Sequence, residues 1–591
     1  MLNVYSWHEG EIALQNTTTA PRDALDRMAQ YVRSSMPLQH QEFFSALPYG
    51  VFGTLDPHGR PWATILAGPS GFFKSTDENH LEIDTMVAND DPWVLNLESS
   101  ERHDLGLVAG VGVDFSNRRR NKLAGKFLKS SFSSVESMKR SIVSIETTQS
   151  LGNCPKYINV RRLESTHRTP VTITKDLQFK GKQLSDEHIS HILSCDTTVL
   201  ATRHLNAKDR QLSDMDCNHR GGPAGFVRVS EDKQSIIWPD YSGNRMFQSL
   251  GNIQSDGLAG ITFPNFENGD MLYITGTAVN ILGENSLMIG QSRITKIDVT
   301  GIIFIKGALQ LKSVGPTQYS PYNPPVRYLQ FENKLAINAT PVQSKVTLES
   351  VQALSSSVST FTFKLNDPVL FKPGACAIMD FSSLYSAENY AHMNDRFPQS
   401  LNDDHIRTWT ISSFPPIDPK TKLLLPSKTF SITVKNKKGG SISTFLHSSD
   451  AKQFQPTLRG VSGSFSCYVN DPPQLQSDHL LFIVGGIGIT PFLSAWHNLQ
   501  NESNVDVALL YSCRGDDGKV IHSLEKTPNY FKLFQTDTSS RMTVDDISSI
   551  PLLTKRDVYI CGPDSFMSTV NDFLASLGVP STKIHQESFS F

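Results

Sequence analysis

The sequence predicts a multidomain β plus α/β chain: two similar small β lobes, then a further antiparallel β-barrel, then a doubly wound parallel sheet. Three observations carry that expectation. Two segments of the N-terminal half match at a fixed offset of 148 residues, pairing Thr54 with Thr202, Gly112 with Gly260 and Phe115 with Phe263, as a tandem duplication would. Short alternating apolar stretches with frequent turn residues fill both segments and return after residue 338, the mark of small barrels or sandwiches. After Asp471-Pro472-Pro473, strands and helices alternate, which builds a parallel sheet covered on both faces.

The elements follow in order. In the first lobe, residues 1–175, Val51–Leu55 and Pro61–Ile65 flank Asp56-Pro57-His58-Gly59, a turn made from Asp, Pro and Gly. Gly112-Val113-Asp114-Phe115 resurfaces in the second lobe, residues 176–310, as Gly260-Ile261-Thr262-Phe263. Each copy is followed by a polar turn and a strand ending at Gly125 or Gly276. In the second lobe Gly225–Val229 and Ser235–Trp238 flank the charged turn Glu231-Asp232-Lys233. Residues 311–337, with Pro316, Pro321, Pro324 and Pro325, read as a linker. Residues 338–470 are again β, with the turn Phe371-Lys372-Pro373-Gly374 entering a strand. In residues 471–591, Leu480–Val484, Asp506–Tyr511 and Asp557–Cys561 read as buried strands, with a helix from Pro491 to about Leu499.

Composition excludes several classes. The chain has 591 residues, enough for three to five domains. Its 55 basic and 58 acidic residues leave a net charge of −3, so no field favours nucleic acid as a partner. The longest apolar run, from Leu480 towards Ile489, is far short of the ~20 residues of a membrane span. The N-terminus shows neither the basic nor the apolar region of a secretory signal. Seven scattered cysteines without a CxxC pair exclude the common zinc and iron–sulfur spacings and suggest reduced thiols. A soluble, cytoplasmic protein without membrane or nucleic-acid partners is the expectation. His8, His219 and His405 share no ligand spacing and no HExxH or EF-hand occurs, so no metal is assigned. Gly460-Val461-Ser462-Gly463-Ser464 lacks the last glycine of a nucleophile elbow, so hydrolase chemistry is unsupported.

The most informative stretch is Gly485-Gly486-Ile487-Gly488-Ile489-Thr490-Pro491. Glycines directly after a buried strand let the backbone approach a pyrophosphate. Thr490 can cap the following helix and Pro491 suits its first position. The helix N-terminus then offers N–H groups to phosphate. A tight turn without ligand would also use these residues, and Pro491 stands where a G-x-G-x-x-G fingerprint has its third glycine. In Arg407-Thr408-Trp409-Thr410, strand alternation puts the Arg407 cation and the Trp409 ring on one side. Thr410 joins them only if the strand ends or twists there. Lys438-Gly439-Gly440-Ser441-Ile442-Ser443 follows a strand, Cys561-Gly562-Pro563 ends another, and Glu587-Ser588-Phe589 sits at the C-terminus.

As an ordered set, these motifs in residues 338–591 resemble the ferredoxin–NADP reductase superfamily, whose members join an FAD-binding antiparallel β-barrel to a nicotinamide-binding α/β domain. The resemblance implies that Arg407 holds the FAD pyrophosphate, that Trp409 packs on the isoalloxazine and that Thr410 bonds near the flavin. It places Gly440 and Ser443 at pyrophosphate, and Gly485, Gly486, Gly488 and Thr490 at the nicotinamide nucleotide. Cys561 and Glu587 fall where hydride passes. The family usually has tyrosine at the position of Trp409, and an indole lacks the phenolic hydroxyl. The strand ending at Ser512-Cys513-Arg514 reaches the ribose 2′ position. Arg514 favours NADPH there, while Asp516 and Asp517 lie close enough to leave NADH open.

In the N-terminal half, Asn218–Phe226, Pro239–Arg245 and the opening Trp7-His8-Glu9-Gly10-Glu11 resemble the pyridoxamine 5′-phosphate oxidase-like split barrels, which commonly bind FMN at a dimer interface. The resemblance implies tandem split β-barrels, with Arg220, Asn244 and Arg245 as phosphate contacts. At the 148 offset Asn96-Leu97 stands opposite Asn244-Arg245, so at most one flavin site is expected. Arg118-Arg119-Arg120 could supply the cation the first lobe lacks, but reads chiefly as a basic turn on a solvated face. The implied activity is FAD-dependent NAD(P)H oxidation with electrons passing to an unidentified acceptor, an FMN in the N-terminal barrel being one candidate. A flavin- or nucleotide-binding redox sensor or scaffold is the alternative. Monomer and homodimer are both open.

Overall fold

The structure is a computed structural model, and it describes residues 5–18, 21–99, 105–283, 287–288, 291–332, 340–384, 393–463, 465–537 and 541–588. Phe589 and residues 333–339 of the expected linker and barrel start lie outside the described residues. The chain forms two units: Met1–Glu332 with Ala387–Asp403, and Asn333–Ser386 with Asp404–Phe591.

In the first unit, helices α1 (Glu9–Gln15), α2 (Arg22–Ala29) and α3 (Leu38–Ala46) precede strands β1 (Tyr49–Leu55), β2 (Pro61–Ala67), β3 (Phe73–Ser75) and β4 (His80–Ala88). Helix α4 (Pro92–Glu98) leads to β5 (Leu107–Asp114), β6 (Arg119–Val135) and β7 (Met138–Asn153). Strands β8 (Val160–Ser165) and β9 (Val171–Asp176) and helix α5 (Asp186–Ser194) follow. The second lobe holds β10 (Thr197–His204), β11 (Asp214–Gly221), β12 (Arg228–Val229), β13 (Ser235–Pro239), α6 (Gln248–Asp256), β14 (Leu258–Pro264), β15 (Met271–Leu282) and β16 (Arg293–Lys306). The first sheet runs β2-β1-β5-β6-β7-β4-β3 and the second β11-β10-β14-β15-β16-β13-β12, the same order strand for strand.

That equivalence corrects the fixed offset. Thr54 pairs with Val108 and Thr202 with Ala259, so the first members lie 148 apart and their partners 151. Gly125 and Gly276, also 151 apart, each sit at a bulge, where a Cβ would strike the carbonyl oxygen of Glu146 or Asp298 at 1.9 or 2.1 Å. A side chain cannot be accommodated at either place. Gly112 and Phe115 are therefore not the counterparts of Gly260 and Phe263. Asn96 on α4 donates through Nδ2 to Thr54 Oγ1 at 2.9 Å, and Asn252 on α6 does the same to Thr202 Oγ1 at 3.1 Å. The counterpart of Asn96 is thus Asn252, and the supposed pairing of Leu97 with Arg245 fails. The loop from Asp240 to Phe247 has no equal in the first lobe, where only Asn89–Asp91 separates β4 from α4.

The two lobes share one hydrophobic core, in which Val51, Trp62 and Val111 pack with Val199, Met215 and Tyr273. Leu311–Gln318, expected as linker, is strand β17 and pairs with β8, while β9 pairs with β16.

In the second unit, β18 (Thr340–Ala353), β19 (Val358–Val369), β20 (Cys376–Asp380), β21 (Ile406–Thr410), β22 (Ser427–Lys435) and β23 (Thr457–Ser462) form an antiparallel sheet in the order β21-β20-β23-β18-β19-β22. A bridge from Ile411 to Ile432 joins its two ends. After the short hairpin β24 (Tyr468–Val469) and β25 (Gln474–Leu475) come β26 (His479–Gly485), β27 (Asp506–Cys513), β28 (Tyr530–Gln535), β29 (Asp557–Gly562) and β30 (Ile584–Ser588). They form a wholly parallel sheet ordered β28-β27-β26-β29-β30. Alternation in β26 sends Leu480, Phe482 and Val484 to one face, against Phe492 and Trp496 of the helix Thr490–Leu499. Leu481 and Ile483 meet Met567, Val570 and Leu574 of the helix Asp564–Ser576 on the other. Among the described residues no helix is long and apolar enough to cross a membrane.

Candidate functional site

The strand order reverses between β26 and β29, and in open parallel sheets ligands bind in the crevice outside such a switch point. Gly485 ends β26 and Cys561-Gly562 ends β29. The glycines divide the work. A Cβ on Gly488 would lie 2.3 Å from the Cys561 carbonyl oxygen, so this glycine answers to strand packing. A Cβ on Gly485 would press on the Phe566 ring at 3.0 Å. Gly486 has φ +56° with nothing within 4 Å of its Cβ position, leaving its backbone open to a ligand. Thr490 does not cap the helix. A 3-10 turn, Gly486–Ile489, runs straight into it, making Thr490 the first helical residue, and its hydroxyl donates to the Ile487 carbonyl at 3.2 Å.

In the barrel, β20 and β21 pair Cys376 with Thr410, Ala377 with Trp409 and Met379 with Arg407. Strand β21 ends at Thr410, and the next residue, Ile411, bridges to Ile432. Arg407 is half-buried, donating through Nη1 to the Ile406 carbonyl at 2.9 Å with Asp404 at 3.7 Å. Trp409 is half-buried and packs edge-on against Phe381 at 5.9 Å. Ser443 is the third residue of the helix Ser441–Leu446, and its Oγ accepts from Lys437 N at 3.2 Å. A Cβ on Gly440 would meet that oxygen at 2.6 Å, so Gly440 and Ser443 close one turn.

Thr410, Cys376, Cys561 and Glu587 converge. Cys376 Sγ lies 4.0 Å from Thr410 Oγ1. Glu587 neighbours Cys561 across the β29–β30 pair. Burial pushes the Glu587 carboxyl up to about 7, and its Oε2 is buried without a hydrogen-bond partner. Burial, reinforced by the Glu587 carboxylate, pushes the Cys376 thiol up to about 12 and raises that of Cys561 as well. Both thiols are therefore neutral at physiological pH. An orphaned carboxyl oxygen beside two thiols and a hydroxyl fits the polar edge of a flavin–nicotinamide pair, and buried polar atoms in native sites normally find partners.

Strand β27 runs on through Cys513, so Ser512 lies within the strand and Arg514 follows it directly, exposed. Asp516 is tied to Ser356 through its N at 3.1 Å and Oγ at 2.6 Å. Asp517 takes Ser355 at 2.8 Å and Ser357 at 2.6 Å. Both carboxylates that left NADH open are committed elsewhere.

In the first unit, Arg220 lies on β11 with its Nε buried and unpartnered, while its Nη1 is 3.8 Å from Asp240, which also pairs with Arg293 at 3.1 Å. Asn244 and Arg245 lie in the extra loop. Asn244 Oδ1 accepts from Met246 N at 3.1 Å, and Arg245 adopts φ +61°. Two further cations gather there. Lys156 donates to the Ser242 carbonyl at 2.7 Å. Arg120, expected on a solvated face, is buried and donates to the carbonyls of Cys154 at 2.7 Å and His219 at 3.3 Å. Burial, with Arg220 nearby, lowers Arg120 to about 10. Alternation on β6 was the available signal, because exposed Arg119 implies that Arg120 faces in. The segment 393–403, a barrel segment by sequence, belongs to this unit. Asn402 donates to Tyr157 Oη at 3.0 Å and accepts from Ser242 N at 2.9 Å.

No family model matches the chain. The glycine betaine monooxygenase reductase subunit of Pseudomonas aeruginosa (strain UCBPP-PA14) is 25% identical over 252 residues, 39% of this chain and 60% of that protein. The ferredoxin reductase component of 3-ketosteroid-9-alpha-monooxygenase from Mycobacterium tuberculosis (strain CDC 1551 / Oshkosh) is 29% identical over 203 residues, 33% of this chain and 52% of its own. The chain thus spans 60% or less of the length of these relatives. Among solved structures, the flavohem-like FAD/NAD binding domain of nitric oxide dioxygenase from Vibrio cholerae O1 biovar El Tor aligns over 42% of this chain and 99% of its own, with 21% identity and a TM-score of 0.31. Phthalate dioxygenase reductase aligns over 42% and 67%, with 20% identity and a TM-score of 0.29.

Proposed function

We propose that the chain is an FAD-dependent NAD(P)H oxidoreductase that hands electrons to an acceptor. The observation that carries this reading is the convergence of Thr410, Cys376, Cys561 and the orphaned Glu587 carboxyl at the crevice of the parallel sheet. The aligned reductase components support it, since their matches take up 39% and 33% of this chain, which a two-domain module such as residues 338–591 can accommodate. FAD, when bound, supplies the capacity to accept a hydride from nicotinamide and release electrons singly or in pairs. The chain's own residues do the rest. Arg407 neutralises pyrophosphate charge, Trp409 offers an apolar face, the open backbone at Gly486 accommodates the nucleotide, and buried Thr410 and Cys561 keep water from the reacting edge. Anaerobic titration with NADPH is the test. Rapid bleaching of the flavin absorbance is expected, whereas tight binding without bleaching would favour a redox sensor.

The coenzyme is NADPH. Arg514 is a guanidinium at the strand end that reads the ribose 2′ group, and the nearby carboxylates are engaged elsewhere. A charge-assisted hydrogen bond is worth about 1.5–3 kcal/mol, so Arg514→Ala should lower kcat/KM for NADPH by about 10-fold or more and spare NADH. Equal losses for both coenzymes would make Arg514 a surface charge only.

The N-terminal half supplies a tandem split-barrel pair with one FMN site. Its support is the shared strand order and the gathering of Arg120, Lys156 and Arg220 beside the Asp240–Phe247 loop. FMN there is one candidate acceptor, and a separate redox protein is the alternative. Arg220→Ala should deplete FMN and leave FAD stoichiometric. A wild-type protein carrying FAD alone after growth with excess riboflavin would end the two-flavin reading.

A further inference from the structure

We propose that His8, Glu9 and His204 form a site for one divalent first-row transition metal ion, which fastens the N-terminal segment to the second barrel lobe. His8 caps α1, Glu9 is its first residue, and His204 ends β10, 196 residues away. One donor atom from each lies within 4.8 Å of the others, and among the described residues no other group of His, Cys, Asp or Glu comes together in this way. Glu9 Oε1 is 3.8 Å from His204 Nδ1. His204 is 3% exposed, yet neither of its ring nitrogens has a hydrogen-bond partner. A buried imidazole with both nitrogens unpaired is costly unless something else takes a lone pair.

The surroundings prepare His8 as a ligand. Asn252 donates through Nδ2 to Thr202 Oγ1, which turns its Oδ1 towards His8 Nε2 at 3.0 Å. That nitrogen therefore carries the proton, and Nδ1 keeps the lone pair. A carbonyl fixing the tautomer from behind is the usual support of a metal-bound imidazole. Nδ1 is only loosely engaged, with Gly10 N at 3.2 Å and Ser255 Oγ at 3.4 Å. The two rings are stacked, with centroids 4.0 Å apart and planes 10° apart. Lone pairs of parallel rings run side by side, so a shared ion requires one ring to turn. His204, held by no hydrogen bond, is that ring. Glu9 is 73% exposed, which leaves the solvent side for water ligands. Two imidazoles with one carboxylate suit Zn2+ or Fe2+ rather than Ca2+ or Mg2+, which prefer all-oxygen cages.

The test is equilibrium dialysis of the chelator-stripped full-length protein against Zn2+ alone, together with thermal melts. One Zn2+ per chain and a higher melting midpoint are expected. Losing an outer-shell partner already weakens metal binding by about 10–100-fold, so Glu9→Gln and His204→Gln should each weaken it by about 100-fold or more and abolish the thermal shift. Glu9 is exposed, so its variant folds whatever His204→Gln does to the core. Absence of stoichiometric Zn2+, or undiminished affinity in Glu9→Gln, overturns the site.

Discussion

Arg407→Ala will leave the purified protein largely without FAD and lower NADPH oxidation by about 100-fold or more at ordinary flavin concentrations. Pyrophosphate carries two negative charges, and a guanidinium meets them with paired donors in fixed geometry. In the proposed role, the regular β20–β21 register would present Arg407, whose stem is half-buried and which lies 3.7 Å from Asp404. A charge-assisted contact is worth about 1.5–3 kcal/mol, and the exposed apolar edge left behind adds to the loss. Trp409→Ala acts on the same ligand differently. It removes an apolar face packed on Phe381, so retained flavin should become more fluorescent. Flavin absorbance after gel filtration checks both variants. Full occupancy and unaltered turnover in Arg407→Ala would show that the pyrophosphate lies elsewhere.

The C-terminal elements were legible because their signals are local. A run such as Leu480–Val484 is buried on both faces, and only a sandwiched strand uses it. Boundaries were less legible. Thr490 has the residue type of a cap, but the 3-10 turn ahead of it occupies that position. Strand β27 outruns its apolar core by two residues because Ser512 and Cys513 pair with Phe534 and Gln535 of β28.

In the N-terminal half, the 148 offset is true of β1 and β10 and fails after them, because the connections from β1 to β2 and from β10 to β11, and later from β4 to α4 and from β13 to α6, differ in length. A fixed offset cannot follow such changes, whereas hydrogen bonds can: Asn96 to Thr54 and Asn252 to Thr202 identify the equivalent residues directly. Reading Arg118-Arg119-Arg120 chiefly as one solvated turn missed that β6 opens at Arg119 and turns buried at Arg120. The approach of His8 to His204 leaves no trace in spacing, since only the packing of α1 against the second lobe creates it.

Glu587→Gln should remove a pH dependence that the wild-type protein shows between about 4.5 and 7. Burial holds the Glu587 carboxyl at about 7 in the folded chain, against an ordinary value near 4.3 once unfolded. Between those values the native state keeps a proton that the unfolded state has released. The stabilisation is complete below the unfolded value and lost as pH rises through the folded one. The full difference amounts to about 4 kcal/mol. The wild-type midpoint for heat-induced release of FAD should therefore fall from pH 5 to pH 8, while that of the glutamine variant stays nearly level. Glutamine keeps the shape and one carbonyl oxygen, so the variant should fold and be the more stable protein at pH 8. The reaction provides a second reading of the same group. A carboxyl titrating near 7 beside Cys561 would change the charge at the proposed hydride-transfer edge, so wild-type flavin reduction by NADPH should bend near pH 7 and the variant's should not. Parallel slopes in the two proteins, in stability and in rate alike, would show that Glu587 does not titrate at the site.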